Sequence, residues 1–335
     1  MKNFFSFLIC LMLAIISLIL YARFVGTMGF ITKEYTLYSE NISPLFDGIK
    51  IVHFSDIHYG RAINSSKIND IVDEINLINP DIVVFTGDLV DKDGNLVNDD
   101  YQFLTDAFSR INAKYGKYSV LGNHDYKNMD EIIKIFNNSS FKYLENSYDI
   151  IYNQNNEKIF IGGIGNVSYD LDNLEKTMEY FDKEENNADY KILLVHEPDI
   201  SDDIVSDYDV DLILAGHSHN GQIRLPVVGA LHTPVHAKKY YDEYYEIDKT
   251  KLYISSGVGV SRINYRLFNR PSINFYRINK KNGNLWFHFY FSSFLVVVFL
   301  AVVVSFFAVV FLAAGFFSVT TSSSFLAATF TSFGV

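Results

Sequence analysis

The sequence predicts an α/β fold, with helices outside a largely β core, behind an N-terminal transmembrane anchor. Three observations point there. Between Lys50 and Ile278, short apolar runs ending in glycine or a polar turn alternate with amphipathic stretches, the pattern of strands alternating with helices. Residues 4–22, FFSFLICLMLAIISLILYA, run for 19 residues without a charge, close to the ~20 that a helix needs to cross a bilayer core. Five polar clusters stand where apolar runs end.

Lys2 precedes the first apolar segment, Arg23 closes it, and the following YARFVGTMG offers no convincing small-residue cleavage site. Residues 1–24 therefore read as an uncleaved anchor rather than a signal peptide or a buried core helix. Lys2 and the amino terminus favour an N-terminus inside, whereas Arg23 and Lys33 pull the other way. The expectation is a single-pass membrane protein with its domain on the extracytoplasmic side. Residues 25–46 read as a linker and residues 47–281 as the domain.

Within the domain, IKIVHFS (49–55) reads as a buried strand. SSKINDIVDEINLIN (65–79) has apolar residues at 68, 71, 72, 75 and 78, with Ser65 or Ser66 as cap and Pro80 as stop, which is helical spacing. DIVVFTG (81–87) and KYSVLG (117–122) are strands flanking a helix in DYQFLTDAFSRIN. KIFIGGIG, KILLVHE, VDLILAG, KLYISSG and SINFYRI follow as short β-type runs. The tyrosine-rich KKYYDEYYE (238–246) fits either an aromatic rim at a membrane or a loop packing on the domain.

The tail differs. All 67 charged residues lie between Lys2 and Lys281, and the last 54 residues have none. Residues 294–317 form a 24-residue uncharged run. It is either a second span, making the chain two-pass, or a segment foreign to the fold. The formal net charge of −11 argues against a nucleic-acid partner. The single cysteine, Cys10, rules out an intramolecular disulfide and a cysteine zinc site, so any metal must be held by His, Asp, Asn or Glu.

The polar clusters are SDIHYG (55–60), TGDLVD (86–91), LGNHD (121–125), VHEPD (195–199) and AGHSHNGQ (215–222). Ligands bind beyond the carboxyl ends of strands in open α/β sheets, so these clusters should converge. Asp56 and His58 stand two apart, as do His217 and His219; on extended backbone each pair would share a direction. The inventory is three carboxylates (Asp56, Asp88, Asp91), the Asn123 amide and five imidazoles (His58, His124, His196, His217, His219). That exceeds one zinc ion and suits two divalent ions sharing a carboxylate, with Mn, Fe, Zn or Ni favoured by mixed nitrogen and oxygen donors. Arg61 and Arg224 lie just past two of the motifs and are candidate phosphate contacts. His53 and His288 read as core residues, and His232 and His236 as loop residues.

The ordered set D-x-H, G-D-x-x-D, G-N-H-D, H and G-H-x-H resembles the calcineurin-like metallophosphoesterase superfamily over residues 49–278. HSHNGQIRLP followed by LYISSGVGVSRINYRLFNRPSI resembles its membrane-anchored bacterial branch, usually described as phosphodiesterases. One departure is Asn220, where that branch often has a glycine; Asn tolerates left-handed backbone. The resemblance implies a four-layer β-sandwich flanked by helices. It also implies that Asp56, His58 and His219 bind one metal, that Asn123, His196 and His217 bind the other, and that Asp88 bridges them. A bridging hydroxide would attack phosphorus in line, His124 would protonate the leaving oxygen, Asp125 would orient His124, and Asp91 would hold a ligand histidine. The expected substrate is a phosphodiester or pyrophosphate, conceivably lipid-linked or from the cell envelope. Alternatives are a phosphomonoesterase acting on protein or small molecules and, disfavoured by the complete ligand set, a non-catalytic scaffold.

Overall fold

The computed structural model describes residues 2–91, 96–183 and 186–281. The uncharged tail from 282, its run at 294–317, and His288 lie outside the described residues. Of the described residues, 19–281 form one compact unit, and 2–18 fall outside it. The N-terminal helix α1 (Lys2–Leu20) has no buried residue. It runs into a π-helical turn at Tyr21–Val25, and the whole of Lys2–Val25 is long and apolar enough to cross a membrane.

In chain order there follow β1 (Ile31–Ser39), β2 (Ile49–Phe54), α2 (Ser65–Ile78), β3 (Ile82–Thr86), α3 (Asn98–Ser109), β4 (Gly116–Val120), α4 (Met129–Asn138) and β5 (Phe141–Tyr143). The second half holds β6 (Ser147–Tyr152), β7 (Lys158–Gly163), α5 (Leu174–Met178), β8 (Tyr190–Leu194), α6 (Ser201–Asp207) and β9 (Leu212–Ala215). A hairpin of β10 (Arg224–Leu225) and β11 (Gly229–Ala230) precedes β12 (Tyr244–Ile247), β13 (Thr250–Ile254) and β14 (Ser272–Lys280).

These strands make two six-stranded sheets, ordered β1-β14-β2-β3-β4-β5 and β12-β13-β9-β8-β7-β6. Their inner faces share one core, in which Ile49, Ile51, Ile82 and Val84 meet Ile159, Ile192, Leu194 and Leu212. The alternate residues of the first sheet, Val52, Phe54, Val83 and Phe85, face α2, α3 and α4. Those of the second, among them Phe160, Leu193 and Ile213, pack with Met178 of α5 and Ile204 of α6. The result is the expected four-layer sandwich flanked by helices. Period-two alternation places each strand's residues on opposite faces, and both faces here are apolar.

Helix α2 shows the physics locally. Ile68, Ile71, Val72 and Ile75 are its buried stripe, each worth about 1.5–3 kcal/mol relative to exposure. The cap is Asn64, whose side chain accepts from Lys67 N, and not Ser65 or Ser66; the helix ends on left-handed Asn79 just before Pro80. His53 is a core residue as expected, with Nε2 2.8 Å from Thr86 Oγ1. Tyr240 and Tyr245 pack edge to face at 4.9 Å within the second sheet's outer core, which is packing on the domain, although Tyr244–Glu246 belong to strand β12 and not to a loop.

The linker expectation needs correction. Residues 31–39 are a strand that pairs in parallel with β14 over nine registers from Ile31 to Ser39, and Leu37, Ile42 and Phe46 enter the inter-sheet core. The alternation in ITKEYTLYS is weak because edge strands bury only part of one face. A chain starting at Pro44 should therefore melt at least 5 °C below one starting at Thr27, since each kcal/mol shifts a domain of this size by about 2–4 °C. Circular dichroism melts compare the two, and coincident melts would make the segment a linker after all.

Candidate metal site

The clusters emerge from the carboxyl ends of β2, β3 and β4 in one sheet and β8 and β9 in the other. Within each sheet these strands are parallel neighbours, so their ends open on one edge of the sandwich. Three groups form there among the described residues. Asp56, His58 and His219 bring ligand atoms within 4.8 Å of one another, Asp88, His196 and His217 do the same, and a third, His58, Asp91 and His124, shares His58 with the first. The Nε2 atoms of His58 and His219 lie 3.0 Å apart, with His219 Nε2 3.4 Å from Asp56 Oδ1. Asp88 stands between the first two: its Oδ2 is 3.7 Å from His58 Nε2 and 3.5 Å from His196 Nε2. Asn123 joins the second group, its Oδ1 3.2 Å from His196 Nε2.

The local backbone differs from the expectation of extended pairs. Asp56, His58, Asp88, His217 and His219 all have positive φ, between 48° and 66°, as does Asn220 at 48°. β9 ends at Ala215, before the histidines. Left-handed turns then send His217 to one group and His219 to the other, where an extended strand would have sent both to one. Such conformations in non-glycine residues persist only where the surroundings impose them, and they cluster at functional sites.

Outer contacts fix how the imidazoles present their nitrogens. His196 Nδ1 donates to Thr86 O at 2.6 Å, which turns Nε2 toward Asp88 and Asn123. His217 Nε2 donates to Val235 O at 2.8 Å, which leaves Nδ1 turned to the site. Such second contacts hold ligand histidines in the right tautomer. Burial pushes the His58 and His217 imidazoles down to about 4 and 3, so both are neutral at pH 7. Burial raises Asp56 to about 7, with Asp88's charge adding to it. For His196 burial acts downward, but Asp88 outweighs it and raises the group to about 10; Asp88 itself is held well below the usual carboxylate range against burial, by His196 first. The buried His58 Nδ1 has no hydrogen-bond partner. The neutral imidazoles of His58 and His217, buried carboxylates and an amide oxygen fit divalent ions with mixed nitrogen and oxygen preference, and an ion bound at His196 would displace the proton that Asp88 holds there.

Around this lies a cavity of about 380 Å³, lined by Asp88, Asn123, His124, His217 and His219 and, from other loops, by Leu231, His232, Val235, Arg262 and Ile263. His124 N donates to Asp88 Oδ1 at 2.8 Å, and its ring meets that of His58 at 4.8 Å. Asp91 Oδ2 stands 3.8 Å from His58 Nδ1, beyond the reach of the hydrogen bond by which it was expected to hold a ligand histidine.

Three expected roles change. Both oxygens of Asp125 are taken by backbone N–H groups, Asp88 and Gly122 on Oδ2 and Leu89 and Val90 on Oδ1. This carboxylate binds two loops together instead of orienting His124. Arg61 grips Asp91 through Nε and Nη2, and Arg224 pairs with Asp242 at 2.5 Å. Neither arginine lines the cavity, whereas Arg262 does. A cation beside an acidic loop is neutralised by that loop before it reaches a substrate.

The sequence reading missed Arg266, Asn269 and Glu197. Arg266 is wholly buried and donates to the carbonyls of Ser256, Gly257 and Gly259, with Nη2 3.3 Å from His219 Nδ1. Asn269 Nδ2 donates to His219 O at 2.6 Å. Glu197, also buried, accepts from Ser168 N at 2.9 Å. The quoted SRINYRLFN holds the first two, but nothing in its spacing marks a buried arginine.

Residues 49–221 match the family model described as calcineurin-like phosphoesterase. The chain belongs to that family. A metallophosphoesterase of Bacillus subtilis, YkuE, is 31% identical over 264 residues, covering 78% of this chain and 90% of that protein. The metallophosphoesterase Cj0846 of Campylobacter jejuni is 29% identical over 71% of this chain and 61% of its own length. A zebrafish (Danio rerio) "transmembrane protein with metallophosphoesterase domain" is 26% identical over 70% of this chain, which spans only 54% of that relative. Among solved structures, the calcineurin-like phosphoesterase YfkN of Bacillus subtilis aligns with a TM-score of 0.41 at 15% identity, over 63% of this chain and 82% of that one. Membership implies a metal-dependent phosphoesterase, and the clustered ligands agree with divalent-metal binding.

Asp125→Asn keeps the shape of the side chain but turns one acceptor into a donor facing N–H groups. Leaving buried donors unsatisfied costs about 1–3 kcal/mol, so the melting temperature should fall by about 3–10 °C in differential scanning fluorimetry. An unchanged melt would show that the loops do not depend on this carboxylate.

Proposed function

We propose that this chain is a membrane-tethered phosphoesterase that hydrolyses a phosphodiester or pyrophosphate bond with two divalent ions. The observation behind it is the position of Asp88, whose single carboxylate faces both ligand groups at 3.7 and 3.5 Å. Asp56, His58 and His219 would hold one ion, Asn123, His196 and His217 the other, and Asp88 both. Bound there, manganese, iron, zinc or nickel ions supply Lewis-acid polarisation of phosphoryl oxygens and acidify an attacking water.

The remaining work falls to the chain's own groups. His124 lines the cavity beside Asp88 and is the residue placed to hand a proton to the departing ester oxygen. Asp91 and Arg61 buttress His58 from behind. Arg266 and Asn269 hold the His219–Asn220 turn. The span-length apolar segment Lys2–Val25 is the tether, with the domain on the extracytoplasmic side, and a lipid-linked or envelope phosphoester is the substrate class that tethering favours.

The detergent-purified chain should carry close to two of these ions by elemental analysis and hydrolyse bis-p-nitrophenyl phosphate faster than the monoester. Asp88→Asn should lose ions and at least about 100-fold in rate, equivalent to about 2.7 kcal/mol of barrier. Protein that stays metal-free and inactive after reconstitution with each ion would overturn the enzyme reading. A preference for p-nitrophenyl phosphate would move the substrate to monoesters.

Saturation with ion at 100 times its dissociation constant adds about 2.7 kcal/mol to stability. Chelation should correspondingly lower the melting temperature of the wild-type chain by about 5–10 °C, and that of Asp88→Asn by much less.

A further inference from the structure

The mouth of the cavity has an apolar rim that the hydrolytic chemistry does not require. The hairpin of β10 and β11 carries Val227 and Val228 at its tip, the first fully exposed and the second 68% exposed. Leu231 and Val235 just after the hairpin, and Ile263 and Phe268 between β13 and β14, are each more than half exposed. Scattered apolar residues on a surface mean little, but a contiguous group marks an interaction site. Val227 also adopts φ 69°, a region where glycine or asparagine is at ease and a β-branched residue is an outlier. Strain of that kind at an exposed turn points to a need for an apolar side chain there.

The rim is joined to the site on one side and to the end of the apolar helix on the other. Leu231, Val235 and Ile263 line the same cavity as Asp88, His124 and His217. Leu267 is stitched to the hairpin by Arg224 N to Leu267 O at 2.9 Å and Leu267 N to Gln222 O at 3.2 Å. Its neighbour Arg266 donates its backbone N–H to Ala22 O at 2.9 Å, within the turn that closes the span-length segment Lys2–Val25. Phe24, Val25 and Met28 are exposed beside this junction. Where an apolar helix leaves a bilayer, whatever is bonded to its last turn lies at the interface. Arg23 lies in that turn and Arg262 and Arg270 flank Arg266 and Leu267, as suits a surface that meets lipid headgroups.

We propose that Val227, Val228, Leu231, Val235, Ile263 and Phe268 form a membrane-docking surface that seats the cavity mouth in the bilayer interface. The substrate is then a phosphoester carried on a membrane lipid. Its chains lie along Leu231, Val235 and Ile263 while its phosphorus reaches the ligand groups. This rests on the phosphoesterase reading above and adds the source from which the substrate arrives.

The full chain is tested in proteoliposomes of phosphatidylethanolamine and phosphatidylglycerol, in a Cys10→Ser background. A polarity-sensitive fluorophore is placed at Val228→Cys and, separately, at Leu77→Cys, a position 79% exposed on α2. The probe at 228 should shift to the blue and be quenched by lipids spin-labelled near the headgroup, whereas the probe at 77 should report water. Equal signals at both positions would overturn the docking surface. Hydrolysis of soluble bis-p-nitrophenyl phosphate by the same proteoliposomes reads the site independently. Its presence with no shift at 228 rejects the docking alone, and its absence in the unlabelled chain rejects the enzyme reading. Short-chain phosphatidylglycerol, a lipid phosphodiester, should compete at least about tenfold better than the water-soluble diester glycerophosphoglycerol, and equal competition would remove the lipid from the substrate.

Discussion

The carboxylate of Asp125 is the constraint on which the site depends. It gathers the backbone N–H groups of Gly122, Asp88, Leu89 and Val90 and so locks the loop after β3 to the loop after β4. That lock lets Gly87 and Gly122 approach so closely that a side chain on either would strike the other loop or Asp88. With the loops held there, Asp88 faces both ligand groups and the backbone of His124 donates to it. A buried carboxylate satisfied by amides is stable only when every donor stays in place, which makes this a cooperative unit.

Five candidate ligands in left-handed backbone are expensive by the usual scale of about 1–3 kcal/mol per strained residue. The two packed sheets supply the resistance. Their shared core of isoleucine, leucine and valine fixes the strand ends, and the short loops between those ends and the next elements have little freedom to relax. Rigid elements carrying a strained set of loops are what pre-organised ligation requires, because a site assembled from flexible loops would need ordering each time it bound.

The same architecture explains why the cavity lining is mixed. Strand ends deliver the polar candidate ligands, and the excursions between β9 and β12 and between β13 and β14 deliver Leu231, Val235 and Ile263. The first excursion is tied to the second through Leu267, and the second to the N-terminal segment through Arg266. The first and last strands of the domain, β1 and β14, run side by side, so the helix end, the excursions and the site are parts of one connected scaffold.

By itself, the sequence determined the alternation of strands and helices, the span-length apolar segment and the ligand inventory. These depend on local periodicity and on which side chains can ligate at all. Asn220 was legible too, since asparagine at that position announces a left-handed turn. Only the tertiary structure decided that residues 31–39 are a strand, because an edge strand draws its stability from β14, some 240 positions away. Only it decided that Arg61 and Arg224 are neutralised by Asp91 and Asp242, that Asp125 serves backbone amides, and that Arg266 is buried behind His219. Spacing records what a chain could ligate or cap, whereas partners distant in sequence are chosen by how the two sheets pack.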